Sequence, residues 1–128
     1  SPGNSDALVS LIDIPATILR LCGVRGAAGM DGVDLREVLT GKHKHRVLHS
    51  DTWRFKVNGE PWFDLTSAYD DQHKLLFFRH TNQMRLERRD DPNPQTTNLL
   101  DEIPIPKHLD DAMGAYMEQT GGPPDLHD

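Results

Sequence analysis

The sequence predicts an α+β fold. A small antiparallel sheet of about four strands carries a C-terminal helix packed on it, and two short helices precede the sheet. Three observations point there. Apolar residues recur at helical spacing in residues 9–23, 34–41 and 107–120. Between the second and third of these lie short apolar and aromatic runs separated by turn-forming dipeptides. The resulting order, helix, helix, strands, helix, is that of one sheet with a helix on one face and the early helices set to the side.

The first helix is VSLIDIPATILRLCG, residues 9–23. Ile14, Ile18 and Leu21 share a face, with Leu11 one turn earlier. Ser10 and Asp13 have the spacing of a capping box. Alternatively Asp13 is itself the cap, which puts Pro15 early in the first turn, where its missing N–H costs least. Gly23 stands where a helix end tolerates positive φ. Residues 26–32 form a loop rich in small residues. In the second helix Asp34 is the candidate cap and Glu37 sits at capping-box distance. Leu35, Val38 and Leu39 make its apolar stripe, and Gly41 ends it.

From Arg46 the period changes. Val47 and Leu48 lead a strand through Asp51, and RFKV and EPWFDL flank Asn58-Gly59, a strong hairpin signal. Residues 67–69 read as a second short strand and KLLFF, residues 74–78, as the most β-like run. Thr81-Asn82 turns the chain into residues 84–88. Residues 90–106 are rich in Pro, Asn and Asp and too aperiodic for a regular element. The last helix places Leu109, Met113, Tyr116 and Met117 on one face. Gly114 weakens it, and Gly121-Gly122 with Pro123-Pro124 stops it. The expected division is therefore residues 1–45, two helices and loops; residues 46–122, the sheet with its helix; and residues 123–128, a disordered tail.

The chain has 128 residues, enough for one domain. Hydrophobic residues make up 36%, low for a domain that buries a full core unaided, and nine prolines with ten glycines imply many turns. This fits an irregular small domain or a piece that leans on a partner. A net charge of −6 argues against nucleic acid as a partner. The local basic clusters, residues 42–46 and Arg85 with Arg88 and Arg89, read as solvated faces. No apolar run approaches the ~20 residues of a membrane span. The single cysteine rules out an intrachain disulfide.

Candidate chemistry is sparse. Cys22 falls at the C-terminal end of the first helix, where the dipole does not favour a thiolate, so it reads as a buried, inert packing thiol. His43 and His45 form an H-x-H pair that can begin a metal site, but Lys42, Lys44 and Arg46 oppose a cation there and favour a solvated basic turn. His49 and Asp51 alternate onto one strand face, where they orient a substrate or form a surface ion pair. With Trp53 they are the substrate-rim candidates. His73, His80, His108 and His127 have no obvious partner. Asp70-Asp71 and Asp90-Asp91 can hold calcium or share a proton, although adjacent acids in turns more often cap. A metal-binding role for His43, His45, His49 and these acids is one reading. Trp53, Phe55, Trp62 and Phe63 belong to the sheet core or to an interface. There is no phosphate-cradling glycine loop and no G-x-S-x-G elbow. No catalytic residue and no metal ligand is assigned within the chain.

The order of short motifs adds to this. Pro2-Gly3 is followed by VSLIDIPATILRLCGV, similar to a V-S-x-x-D-x-x-P-T helix with Ala16 between Pro15 and Thr17. MDGVDLREVLTG is similar to D-G-x-S/D-L-x-x-x-L-x-G, AYDDQHKLLFF to a strand pair presenting x-x-K-hydrophobic, and MRLERRDDPNPQTTNLL to L-Y-D-L-x-x-D-P-x-E-x-x-N-L. In this order they resemble the C-terminal region of the sulfatase family, within the alkaline-phosphatase-like superfamily. Arg85 replaces the tyrosine, Pro94 the acid after Asp91-Pro92, and residues 52–65 have no counterpart.

The resemblance implies a sulfuric ester hydrolase. Its formylglycine arises from a C/S-x-P-x-R motif, and calcium held by Asp and Asn assists it. Those motifs lie upstream of the P-G in the family; Cys22-Gly23-Val24-Arg25 lacks the proline and is not one of them. Calcium and formylglycine are thus implied for an intact parent and none for this chain. Residues 1–45 would end the large α/β domain. The sheet and helix would form the small subdomain beside the active site, its loops shaping the substrate pocket. The implied partner is the N-terminal catalytic domain of the same polypeptide, whose sheet Ile14, Ile18 and Leu21 would face. In its absence the helix at residues 35–39 would cover them, or a second copy in a homo-oligomer. The alternative is a stand-alone binding module without catalysis.

Overall fold

The structure is a computed structural model. It describes residues 3–24, 29–58, 61–94 and 96–120, with the backbone alone for Trp53, Phe55, Pro61, Trp62 and Phe63. His127, Gly59 and the expected tail therefore lie outside the described residues. The chain divides into two compact units, Ser1–Arg46 and Val47–Asp128.

The first unit holds α1 (Asp13–Leu21) and α2 (Leu35–Leu39). Both glycine stops occur as expected, Gly23 at φ +71° and Gly41 at φ +82°. Asp34 caps α2 by accepting the Arg36 N–H at 2.9 Å. Only half of the first capping box forms: Asp13 Oδ2 accepts the Ser10 N–H at 2.8 Å, and no side chain caps the helix at Ile12. Glu37 is no box partner either. It meets Arg20, Lys42 and His43 instead.

The packing of α1 differs from expectation. Its buried residues are Asp13 and Ala16, while Leu11, Ile14, Ile18 and Leu21 are 83%, 46%, 53% and 61% exposed. The α2 helix does not cover them, because the contact between the helices uses the other face. There Thr17 Oγ1 donates to the Asp13 carbonyl at 2.6 Å and accepts the Leu35 N–H at 2.9 Å. Of the α2 stripe only Val38 is buried, and Leu39 is exposed. Cys22 is likewise exposed and not a packing thiol, since it follows the last turn of a helix whose apolar side faces outward. Gly32 passes so close to the start of α1 that an added Cβ would overlap the Ile12 carbonyl oxygen.

Arg46 is not part of a solvated basic turn. Its guanidinium reaches Asp13 Oδ1 at 3.1 Å, Asp13 Oδ2 at 2.6 Å and the Leu8 carbonyl at 2.8 Å, and Val33 N–H adds a 3.0 Å bond to Asp13 Oδ1. Burial pushes the Asp13 pKa up, but Arg46 and the N–H groups of Val33 and Ser10 outweigh it and hold the carboxyl at about 2.

The second unit is a four-stranded antiparallel meander, β1 (Leu48–Phe55), β2 (Pro61–Tyr69), β3 (His73–Phe78) and β4 (Gln83–Arg88), in spatial order 1-2-3-4. The described part of EPWFDL, residues 61–65, and residues 67–69 are one continuous β2. Asp64, Thr66 and Ser67 are buried in it, and these polar residues hide the apolar alternation by which a strand is read. Asn82 takes φ +53° in the β3–β4 turn, a conformation asparagine tolerates.

The last helix, α3 (Lys107–Thr120), supplies Leu109 and Met113 to the core, against Ala68, Leu75 and Leu86. These three are same-face partners in register across β2, β3 and β4. Phe77, Met84 and Met117 pack around them, as do Leu99, Leu100 and Ile105 of the excursion. That excursion is not wholly irregular, since Leu99–Asp101 form a 3₁₀ turn. Asn98 caps it and also acts as a piece of strand: its Oδ1 accepts the Leu86 N–H at 3.0 Å and its Nδ2 donates to the Met84 carbonyl at 3.4 Å. The outer edge of β4 is closed in this way.

Candidate functional site

The α3-covered face of the sheet is apolar on β3 and β4 and polar on β1 and β2. Strand alternation puts His49 and Asp51 on this face, and the register sets them opposite Ala68 and Thr66. Tyr116 of α3 joins the two. Its ring stacks on the His49 imidazole with centroids 4.3 Å apart and planes 4° from parallel, and its hydroxyl donates to Asp51 Oδ2 at 2.9 Å.

Arg79, at the end of the β3–β4 hairpin, donates to Thr66 Oγ1 from Nε at 3.1 Å and from Nη2 at 2.9 Å. Asp64 follows on β2. It accepts the His80 N–H at 2.8 Å, and His80 Nδ1 lies 3.3 Å from the same oxygen.

Burial keeps the His49 imidazole and the Tyr116 phenol in their neutral forms. Burial pushes the His49 pKa below its ordinary value, against a smaller opposing pull from Asp51. Burial pushes the Tyr116 pKa up, and the Asp51 carboxylate adds to it. The result is a neutral imidazole lying on a phenol that stays a donor. His49 Nδ1 and Asp51 Oδ1 are buried without a hydrogen-bond partner among the described residues. Such a set of groups orients and holds; it contains no activated nucleophile.

The opposite end of the sheet carries a second polar group. Asp70 Oδ1 accepts the Gln72 N–H at 2.8 Å, and His108 Nε2 of α3 lies 2.7 Å from Asp70 Oδ2. Burial raises the Asp70 pKa, but the N–H groups of His73 and Gln72 and the His108 contact bring it below the ordinary carboxylate value. A cleft of ≈ 610 Å³ opens beside this clasp, between the β2–β3 turn, the end of β4 and the 3₁₀ segment.

His49 and Asp51 are thus brought together as expected, through Tyr116 rather than by pairing with each other. Trp53 lies on β1 opposite Asp64, and its side chain is outside the described residues. His43 and His45 do not converge: His43 Nε2 is 2.9 Å from Glu37 Oε2, and His45 is exposed. His73, His80 and His108 do have partners, Asp70, Asp64 and Asp70 respectively. The acid pairs serve as turn caps and ion-pair partners, Asp90 to Arg88 and Asp91 to the Asn93 N–H. Among the described residues no group of three or more His, Cys, Asp or Glu side chains is placed to hold a metal ion.

The sequence alone does not mark Tyr116, Thr66 or Arg79 as site residues. Tyr116 had a usable signal, being the one hydroxyl in an otherwise aliphatic helix stripe. Thr66 and Arg79 had none, because their contact depends on the hairpin register.

Fold and site together define an α+β domain with one helix clamped over a half-polar sheet. Comparison with known proteins finds no family model that matches the chain and no match among curated proteins. Among the described residues no helix is long and apolar enough to cross a membrane.

Proposed function

We propose that the chain is the C-terminal region of a sulfatase-like sulfuric ester hydrolase. In this reading Ser1–Arg46 completes the large catalytic domain, and the sheet with α3 forms the subdomain that helps shape the substrate pocket. The observation that carries the reading is the inverted packing of α1. A helix that buries Asp13 and Ala16 and leaves Leu11, Ile14, Ile18 and Leu21 in water has its apolar face prepared for another surface. A sheet belonging to an upstream catalytic domain of the same polypeptide is such a surface.

Two further points support it. The second unit has the four antiparallel strands and C-terminal helix that the resemblance implies. Several motif residues behind the resemblance also have definite packing roles: Asp13 and Thr17 in the α1 hub, Gly32 at its close approach, Asp34 as a cap and Asn98 as the edge closure. His49 and Asp51 are the rim residues in this reading, held in place by Tyr116. Calcium and formylglycine belong to the upstream part, and no residue of this chain is assigned to either.

The test is the coding sequence upstream of Ser1 together with the activity of the polypeptide it encodes. A C/S-x-P-x-R motif upstream, aryl sulfate hydrolysis by the longer protein and none by the 128-residue chain are the expected results. An upstream stop codon in the same frame, or turnover by the chain alone, overturns the reading. The stop codon would leave the stand-alone binding module in its place.

A further inference from the structure

We propose that the cleft beside the β2–β3 turn binds an organic oxyanion, a carboxylate or sulfate carried on an apolar, ring-sized body. The inference concerns the Val47–Asp128 unit alone and does not depend on the parent being a sulfatase.

At ≈ 610 Å³ the cleft has the size of a small-molecule site. One wall presents two consecutive guanidinium groups, Arg88 and Arg89, each oriented from behind. Arg88 Nε and Nη2 are held by the two oxygens of Asp90 at 2.9 and 2.8 Å, so the remaining edge of the fork projects from a braced group. Arg89 Nη1 is anchored on the carbonyl of Asp71 at 3.1 Å, with the Asp70 carbonyl at 3.4 Å. His73 stands opposite Arg88 in the β3–β4 register and adds a third nitrogen donor or acceptor. Leu99 and Ile103 supply the apolar part of the lining, Leu99 half-buried and Ile103 exposed.

Charge alone does not select the ligand, since the Asp71 and Asp90 carboxylates line the same cleft. Selection comes from geometry. A planar guanidinium edge matches the spacing of two oxygens on one carboxylate or sulfate, and bracing removes much of the entropy lost on binding. The exposed Ile103, beside half-buried Leu99, favours an apolar body joined to that anion over a bare ion. Asp71 disfavours ligands with more than one negative group.

The test is titration of the 128-residue chain with phenyl sulfate, benzoate, inorganic sulfate and benzyl alcohol, followed by calorimetry and amide chemical shifts. Saturable binding of both aromatic anions is expected, with shifts centred on residues 71–73, 88–90 and 99–103. Inorganic sulfate and benzyl alcohol should each bind about tenfold or more weakly, one lacking the apolar contact and the other the charge-assisted bonds. Arg88→Gln and Arg89→Gln should each weaken phenyl sulfate about tenfold. Both arginines are exposed, so unchanged melting curves will show the variants folded. Lys107→Gln, on the exposed surface of α3, should leave binding as it was. Failure of both aromatic anions to saturate overturns the proposal. So does equal binding by benzyl alcohol or by inorganic sulfate, or unchanged affinity in both arginine variants.

Discussion

Asp13 shows how much one side chain organises in this chain. Its carboxylate collects two backbone N–H groups and two guanidinium bonds, and so joins the entry of α1, the loop at Val33 and Arg46 at the end of the first unit. Asp13→Asn keeps the shape and removes the charge, leaving Arg46 mostly buried without its counter-ion. The expected cost is about 3 kcal/mol in urea unfolding, the amount typical of breaking a buried pair from one side. Tyr116→Phe is a milder test. The stack on His49 survives, Asp51 loses its donor, and about 1–2 kcal/mol of stability should go with it. Residues acting within their own turn were legible: Gly23, Gly41 and the Asp34 cap follow from spacing alone. Arg46 was not, because its partner lies 33 residues away and nothing local distinguishes it from Lys42 or Lys44.

Among the elements, α1 and α3 make a contrast. Both show an apolar stripe in sequence, yet α3 buries its stripe against the sheet while α1 turns its stripe outward. Periodicity reveals that a helix has two faces; it does not reveal which face finds a partner within the same chain. Ile18→Lys should therefore change the stability of this chain by no more than about 0.5 kcal/mol, whereas Ala16→Leu at the buried face should cost about 1–3 kcal/mol through overpacking. Thermal melts of the two variants side by side would expose an error in either assignment. Within α3, Gly114 faces open space, and an added Cβ meets no atom within 4 Å. Gly114→Ala should stabilise the helix by up to about 1 kcal/mol. In sequence β2 reads as two pieces, because Asp64, Thr66 and Ser67 are buried members of the sheet and break the apolar pattern.

For the molecule as a whole, the lowered groups, His49 and the carboxylates, point to acid sensitivity. His49 has a folded pKa below its unfolded value near 6.5, so the stability tied to its neutral form is complete above that pH and falls as pH drops toward the folded value. Asp13, Asp34 and Glu37 titrate at about 2 in the folded chain, and Asp70 is also lowered. Their contributions are complete above about pH 4 and are lost as pH falls toward 2. Unfolding free energy measured from pH 8 to pH 3 should thus decline in two steps, and His49→Gln should abolish the upper one. A single step near pH 4 in the unmodified chain would show that His49 is not held neutral. Cys22 offers a probe of the outward face of α1. A thiol reagent should modify it readily in this chain and slowly in the longer polypeptide proposed above, in which an upstream domain would cover that face. Equal rates in both would mean that the helix end stays in water.

The class of fold, the order of elements, both glycine stops, the cap of α2 and the shared face of His49 and Asp51 follow from local patterns in the chain. Each depends on neighbours a few residues apart, where backbone periodicity and local hydrogen bonds decide the outcome. Long-range packing sets which side of α1 is buried, that Tyr116 links the two rim candidates, that Asn98 closes the β4 edge, and that Arg88 and Arg89 share a cleft with Leu99 and Ile103. Those outcomes join groups brought together by strand register and by α3 crossing the sheet, and register is a property of the folded chain.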